Sequence, residues 1–310
     1  MRKITILVPV IGLILLVTSG EGYSAGPEEH FELLESTVPS RRRTAVSGLS
    51  EYDGTEIVER LGRVLTRDPH FSVRARAAEV LGNLRDRDAL PYLIEALQDE
   101  NRNVKAAAIV SFGYIRDRSA VEHLIDFVRK EEDRGLKVSA INVLGVLGAG
   151  EAVPLLTEAL ENEEPRIRRV AAQSLGRIRS SESTGALIER LNDENKDVRL
   201  FSVRALGEVG EADALSPLKS LLNLEPDREV KIAAAHALGQ LGDNRGLPVA
   251  LQAATSNDTD IQRTGLRALG AIGQVNEQVK AAVRAAYNSD NPRVERDAAT
   301  AASFLGIDLP

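Results

Sequence analysis

Asp197-Val198-Arg199-Leu200-Phe201-Ser202-Val203-Arg204-Ala205-Leu206-Gly207 decides the fold, because the chain writes the same phrase again and again. Its glycine returns at Gly82, Gly113, Gly145, Gly176, Gly239 and Gly270, so the seven copies stand 31, 32, 31, 31, 32 and 31 residues apart. Periods of this size belong to stacked solenoids, in which each unit packs only on its neighbours. Nine residues before each glycine stands an apolar anchor: Val73, Val104, Leu136, Ile167, Val198, Val230 or Ile261. Four after the anchor the residue is small (Ala77, Ala108, Ala140, Ala171, Ser202, Ala234, Gly265), and eight after it comes Leu, or Phe112 in one copy. Offsets of 0, 4, 8 and 11 share one face of a helix of 3.6 residues per turn. A second glycine at Gly148, Gly210, Gly242 and Gly273 can close that helix.

The rest of each period supplies a partner helix. Apolar stretches run from Ile57 to Leu65, Leu90 to Leu97, Val121 to Val128, Val153 to Leu160, Ala186 to Leu191, Leu215 to Leu222, Leu247 to Ala254 and Val279 to Ala286. Pro91, Pro154 and Pro248 fall in first turns, where a missing amide hydrogen matters little. Polar links such as Asp193-Glu194-Asn195 join the paired helices and offer side-chain oxygens as caps. An acidic helix from Pro27 to Ser36 followed by Arg41 to Leu49 makes a first pair, and Pro292 to Leu305 closes the series. The prediction is an all-α solenoid of about nine helix pairs over 27–310.

The first 25 residues read differently. Arg2 and Lys3 precede fourteen uncharged residues from Ile4 to Val17. That length suits the core of a secretory signal peptide and falls short of the roughly 20 residues of a spanning helix. The expectation is a leader over 1–25, cleaved between Glu21 and Pro27, and an exported protein, periplasmic or extracellular. The alternative is an uncleaved N-terminal segment, the one route to a membrane.

Composition narrows the partner. A formal net charge of −7 speaks against nucleic acid. With no cysteine there are no disulfides, thiolate nucleophiles or thiolate metal sites.

The Asp…Val-Arg…Ala…Leu-Gly pattern with a period near 31 resembles HEAT repeats, above all the short type of phycobilisome-lyase-related proteins. The resemblance covers about 27–305. It implies a helical superhelix, and it implies that the basic residue after each anchor (Arg74, Lys105, Lys137, Arg168, Arg199, Lys231) and the acid in each turn form a ladder between repeats. Lyase members are associated with bilin chromophores inside cells, so that activity is not carried over to a chain with an export signal.

No active site assembles from the sequence. Asp193-x-Asn195-x-Asp197 begins like a calcium loop but has Val198 where glycine is needed and Arg204 where glutamate is needed. Ser216-Pro217-Leu218-Lys219 lacks the partner motifs of penicillin-binding enzymes. His30, His70, His123 and His236 lie on separate repeats without metal spacing. The expectation is a non-enzymatic chain with no metal and no cofactor.

What remains is a surface. Offsets 2 and 6 lie opposite the apolar stripe, with 3 and 10 at its borders, and in HEAT-like solenoids such positions line the inner wall. The wall runs from an apolar section (Val110, Tyr114, Val138, Val146) to a basic one (Arg169, Arg177, Arg204, Arg263, Arg267), with Leu200 and Phe201 between. The reading is an exported scaffold that binds another protein, with an acidic surface, along its concave face through Arg177, Phe201, Arg204, His236 and Arg267. The alternatives are a lyase-like enzyme or accessory and a structural spacer of an envelope assembly.

Overall fold

The computed structural model describes residues 26–309, and the leader read at 1–25 lies outside them. Among the described residues every regular element is helical and the helices form nine pairs. The first five are α1 (Glu28–Leu34) with α2 (Pro39–Gly48), α3 (Thr55–Arg67) with α4 (Phe71–Leu84), α5 (Leu90–Ala96) with α6 (Arg102–Ile115), α7 (Val121–Lys130) with α8 (Arg134–Val146), and α9 (Val153–Ala159) with α10 (Pro165–Ile178). The rest are α11 (Thr184–Glu189) with α12 (Lys196–Val209), α13 (Leu215–Leu224) with α14 (Arg228–Gln240), α15 (Leu247–Ala254) with α16 (Thr259–Ile272), and α17 (Glu277–Tyr287) with α18 (Pro292–Leu305).

Helix α12 shows why the phrase folds as it does. Asn195 caps its start by accepting from the backbone N–H groups of Asp197 and Val198. Val198, Ser202 and Leu206 are fully buried, as the spacing requires. Gly210 ends the helix with φ 86°, donating its N–H to Leu206 O at 3.1 Å. In three copies an arginine stands where this glycine belongs: Arg85, Arg116 and Arg179 hold φ of 55°, 56° and 58°. A side chain in that left-handed region costs about 1 kcal/mol, so these three helix ends carry strain that the glycine-ended copies avoid.

The repeat glycine works at the contact between successive second helices. A Cβ at Gly145 of α8 would stand 2.8 Å from Ser174 Cα of α10, and one at Gly176 would stand 2.9 Å from Ala205 Cα of α12. Ser174 uses the closeness to donate across the contact to Ile141 O at 3.0 Å, and Ser111 does the same to Ala78 O at 2.8 Å. Second helices therefore pack closely, from α2 against α4 to α16 against α18, whereas consecutive first helices touch far less. Unequal approach of the two layers bends the stack, and places the second helices on the inner wall.

The ladder is present where its acids are. Arg42 to Asp68, Arg74 to Asp99, Lys105 to Glu131, Arg168 to Asp193 and Arg199 to Glu225 each join a second helix to the turn of the next repeat. Each acid also accepts the backbone N–H two residues on, so that Asp193 holds both Arg168 and the Asn195 amide. The arginines donate a further bond to a carbonyl of their own turn, as from Arg168 Nη1 to Asn162 O at 2.9 Å. Lys137 and Lys231 have Asn162 and Ser256 at the acid's position, and among the described residues they make no such ion pair. A second, exposed ladder links helix starts, with Arg102 on Asp133 at 2.8 Å and Arg134 on Glu164 at 2.9 Å. The hydrogen bond from Arg102, with the Leu136 N–H, lowers the Asp133 carboxyl to about 2.

One placement differs from the sequence reading. Leu200, expected on the inner wall, is 4% exposed, and Ile232 at the same offset is 1% exposed. The small residues let neighbouring second helices come so close that Leu200 and Ile232 are pinched between them, whereas Val138, Arg169 and Arg263 at the same offset stay half-buried.

Candidate functional site on the inner wall

With Leu200 and Ile232 withdrawn, the open wall consists of the sixth and tenth offsets, with the half-buried Val138, Arg169 and Arg263 beside them at the second. Val110, Tyr114 and Val146 are exposed there by 45%, 47% and 37%, a large fraction for apolar side chains. Val110 and Tyr114 flank a shallow hollow of about 560 Å³ between α4 and α6, with Glu79 and Asn83 on its far side.

The basic section begins on α10. Arg169 makes no ion pair, and its guanidinium carbon lies 5.3 Å from the Phe201 ring centroid on α12. Arg204, one turn on from Phe201, lies 5.4 Å from the same centroid. The half-buried ring thus holds two cations close to it, which a π face can attract singly but which repel one another. Arg204 has one distant acid, Glu229 at 3.8 Å. Arg177 reaches a neutral partner, Asn142 Oδ1, at 2.8 Å. Glu208, next on the tenth-offset row, lays its carboxylate over Gly176 of α10, where partial burial pushes it up against the pull of Arg179, Arg177 and Arg204.

Arg267 and His236 are placed differently. Asp297 on α18 accepts from Arg263 at 2.8 Å and from Arg267 at 3.3 Å, so these two cations share a carboxylate. Burial, and then the charges of Arg204 and Arg267, push the His236 imidazole down and favour its neutral form. His236, Gln240 and Arg267 form one side of a hollow of about 280 Å³ whose other side is Ala271, Ala301 and Phe304. Phe304 is 75% exposed. It continues the tenth-offset row onto α18, and the sequence reading passed over it because the last repeat departs from the phrase. Among the described residues no three His, Asp or Glu side chains gather to hold a metal ion, and no helix is long and apolar enough to cross a membrane.

The model of HEAT repeats matches residues 58–139, 121–197, 184–265 and 224–303. The chain belongs to the HEAT-repeat family. Its array resembles solved structures of low sequence identity. The YIBA protein of E. coli superposes with a TM-score of 0.54 at 21% identity, covering 80% of this chain and 92% of its own. An engineered protein gives 0.49 at 19% identity over 90% and 88%, and the complex of CpcE and CpcF of phycocyanin lyase from Nostoc gives 0.45 at 21% over 84% and 98%. At these identities the likeness is one of fold. No curated protein sequence matches the chain. HEAT repeats make this chain a helical scaffold suited to protein interaction.

Proposed function

We propose that the protein is a non-catalytic scaffold that holds an acidic segment of another protein along its inner wall and acts outside the cytoplasm after export. One observation carries the binding reading: Arg169, Arg177 and Arg204 stand together on α10 and α12 with no carboxylate nearer than Glu229 at 3.8 Å from Arg204, a cationic cluster in a chain of net charge −7. Arginine and aromatic side chains are the types that most often carry interface energy. A local inversion of sign also steers an acidic partner to the wall and raises its association rate in a salt-dependent way. The export reading rests on Arg2, Lys3 and the apolar run from Ile4 to Val17, and N-terminal sequencing of protein from its native cell tests it. A mature chain starting between Glu21 and Pro27 supports it, and an intact Met1 in the membrane fraction supports the anchored form instead.

The binding reading is tested by comparing Arg177→Glu with Arg204→Glu, combined, against Arg129→Glu on α7, in capture experiments from native envelope extract. Loss of the partner from the inner-wall variant alone is the expected result. Equal capture by both variants, with folding unchanged, contradicts it and leaves the spacer reading. A chromophore bound by the purified protein favours the lyase-like reading.

A further inference from the structure

The sixth and tenth offsets run without a break from the cationic section to the hollow at the C-terminal end, so one ligand lying across the second helices meets both. The hollow has the dimensions of a single side chain: about 280 Å³ lies just below the roughly 300–1,000 Å³ of small-molecule pockets. Its base is apolar, with Ala301 and the Phe304 ring 3.6 Å from where a Gly270 Cβ would be, and its rim carries Gln240 and the Arg267–Asp297 pair. Phe304 is one of the two most exposed large apolar side chains among the described residues and the one that faces this hollow. The rim charges are already paired to one another, so the hollow offers apolar contact, whereas Arg169 and Arg204 beside Phe201 offer charge.

We infer that the inner wall recognises an extended acidic segment in two places at once, its carboxylates held by Arg169, Arg204 and Arg177, and one bulky apolar side chain seated in the hollow between α14, α16 and α18. This rests on the reading of the wall as a site for an acidic protein partner and adds a spacing rule to it. Neighbouring packed helices lie about 8–10 Å apart, so α12 is separated from the apolar base of the hollow, between α16 and α18, by two and a half spacings, about 20–25 Å. An extended chain advances about 3.3 Å per residue. The carboxylates and the apolar anchor are therefore about seven residues apart in the ligand, a distance set by the stacking of the repeats. Linking the two contacts in one chain makes the second an intramolecular event, and the gain vanishes when the linker cannot reach.

The test uses fluorescent synthetic peptides in which three glutamates and one phenylalanine are separated by Gly/Ser spacers of roughly three, seven or eleven residues, with counterparts carrying glycine in place of phenylalanine. Binding to the mature protein is read by fluorescence anisotropy. The seven-residue spacer is expected to bind about tenfold more tightly than its glycine counterpart and than the three-residue spacer. Phe304→Ala, at an exposed position that folding does not need, is expected to remove that gain and leave the glycine counterpart's binding unchanged. Equal binding of phenylalanine and glycine peptides at every spacing, or indifference to Phe304→Ala, overturns the two-place inference while the acidic-partner reading stands. Binding that survives Arg169→Glu with Arg204→Glu, or no binding by any peptide, overturns both.

Discussion

Arg168 on α10 grips Asp193 in the following turn with two parallel hydrogen bonds of 2.8 Å, and the two side chains are only 8% and 4% exposed. A buried pair of this kind is strongly felt when one member is lost, because Arg168 is then left with only the exposed Glu194 at 3.5 Å. Asp193→Ala is expected to destabilise the fold by about 3–5 kcal/mol, whereas Arg168→Met with Asp193→Leu is expected to recover most of that. Urea unfolding of the two variants beside the natural chain checks both expectations.

The same rungs set the acid limit of the fold. Burial opposes ionisation of Asp99, Asp193 and Glu131, but hydrogen bonds from Arg74, Arg168 and Lys105 and from backbone N–H groups outweigh it and hold all three below their ordinary values. A folded-state value lower than the unfolded one adds stability that is full above the unfolded values of about 3.9 and 4.3 and disappears as pH falls through the folded ones. Unfolding free energy is expected to stay level down to about pH 5 and fall steadily below pH 4. A melting series across that range in which Asp193→Asn loses part of the slope confirms the source.

Asn162 interrupts the ladder while keeping half of its chemistry, since its Oδ1 accepts the Glu164 N–H at 2.9 Å. Asn162→Asp retains that bond and gives Lys137 the carboxylate that Lys105 finds in Glu131. A gain of up to about 1 kcal/mol is expected at neutral pH, falling away in high salt and below pH 4. Thermal unfolding at two ionic strengths measures it.

Two glycines at one position of the phrase are predicted to respond with opposite sign. At Gly145 a Cβ would meet Ser174 Cα at 2.8 Å, but at Gly113 the nearest atom is a Val143 methyl at 3.6 Å. Gly145→Ala is expected to cost about 1–3 kcal/mol by forcing α8 and α10 apart. Gly113→Ala is expected to be neutral or to stabilise by up to about 1 kcal/mol through helix propensity. Chemical denaturation of the pair decides whether close approach is the reason for the repeat glycine.

Replacing strained arginines by the residue used in the other copies should stabilise the chain. Arg179→Gly, Arg116→Gly and Arg85→Gly each relieve a positive φ and are expected to gain about 0.5–1 kcal/mol, nearly additively because the sites are far apart. Unfolding of the triple variant against the single ones tests this.

Rows of like residues made the architecture and the ladder legible, because each anchor, small residue and turn acid announced its role by recurring. Helix geometry alone put Leu200 on the open wall. It could not show how near α10 and α14 come to α12, which depends on backbone contacts at Gly176 and Gly207. The helix-ending arginines were illegible for the opposite reason: nothing in Arg85, Arg116 or Arg179 suggests the left-handed region until the copies ending in Gly148 and Gly210 are aligned on the structure. In the site, the arginine row was readable, but its division was not. Asp297, which takes up Arg263 and Arg267, sits at an offset where no other copy has an acid, and Phe304 follows Ala271 in a repeat that had lost the phrase.

Site-specific photo-crosslinking in native envelope extract shows whether the cationic inner wall is the partner's seat. A photoreactive side chain at Gln173, one turn from both Arg169 and Arg177 on the inner wall, is compared with one at the exposed His123 on α7. The expected result is a covalent adduct from position 173 whose crosslinked peptide is acidic and which disappears when Arg169→Glu and Arg204→Glu are added. Adducts formed only from position 123, or an adduct at 173 that survives both charge reversals, would contradict it.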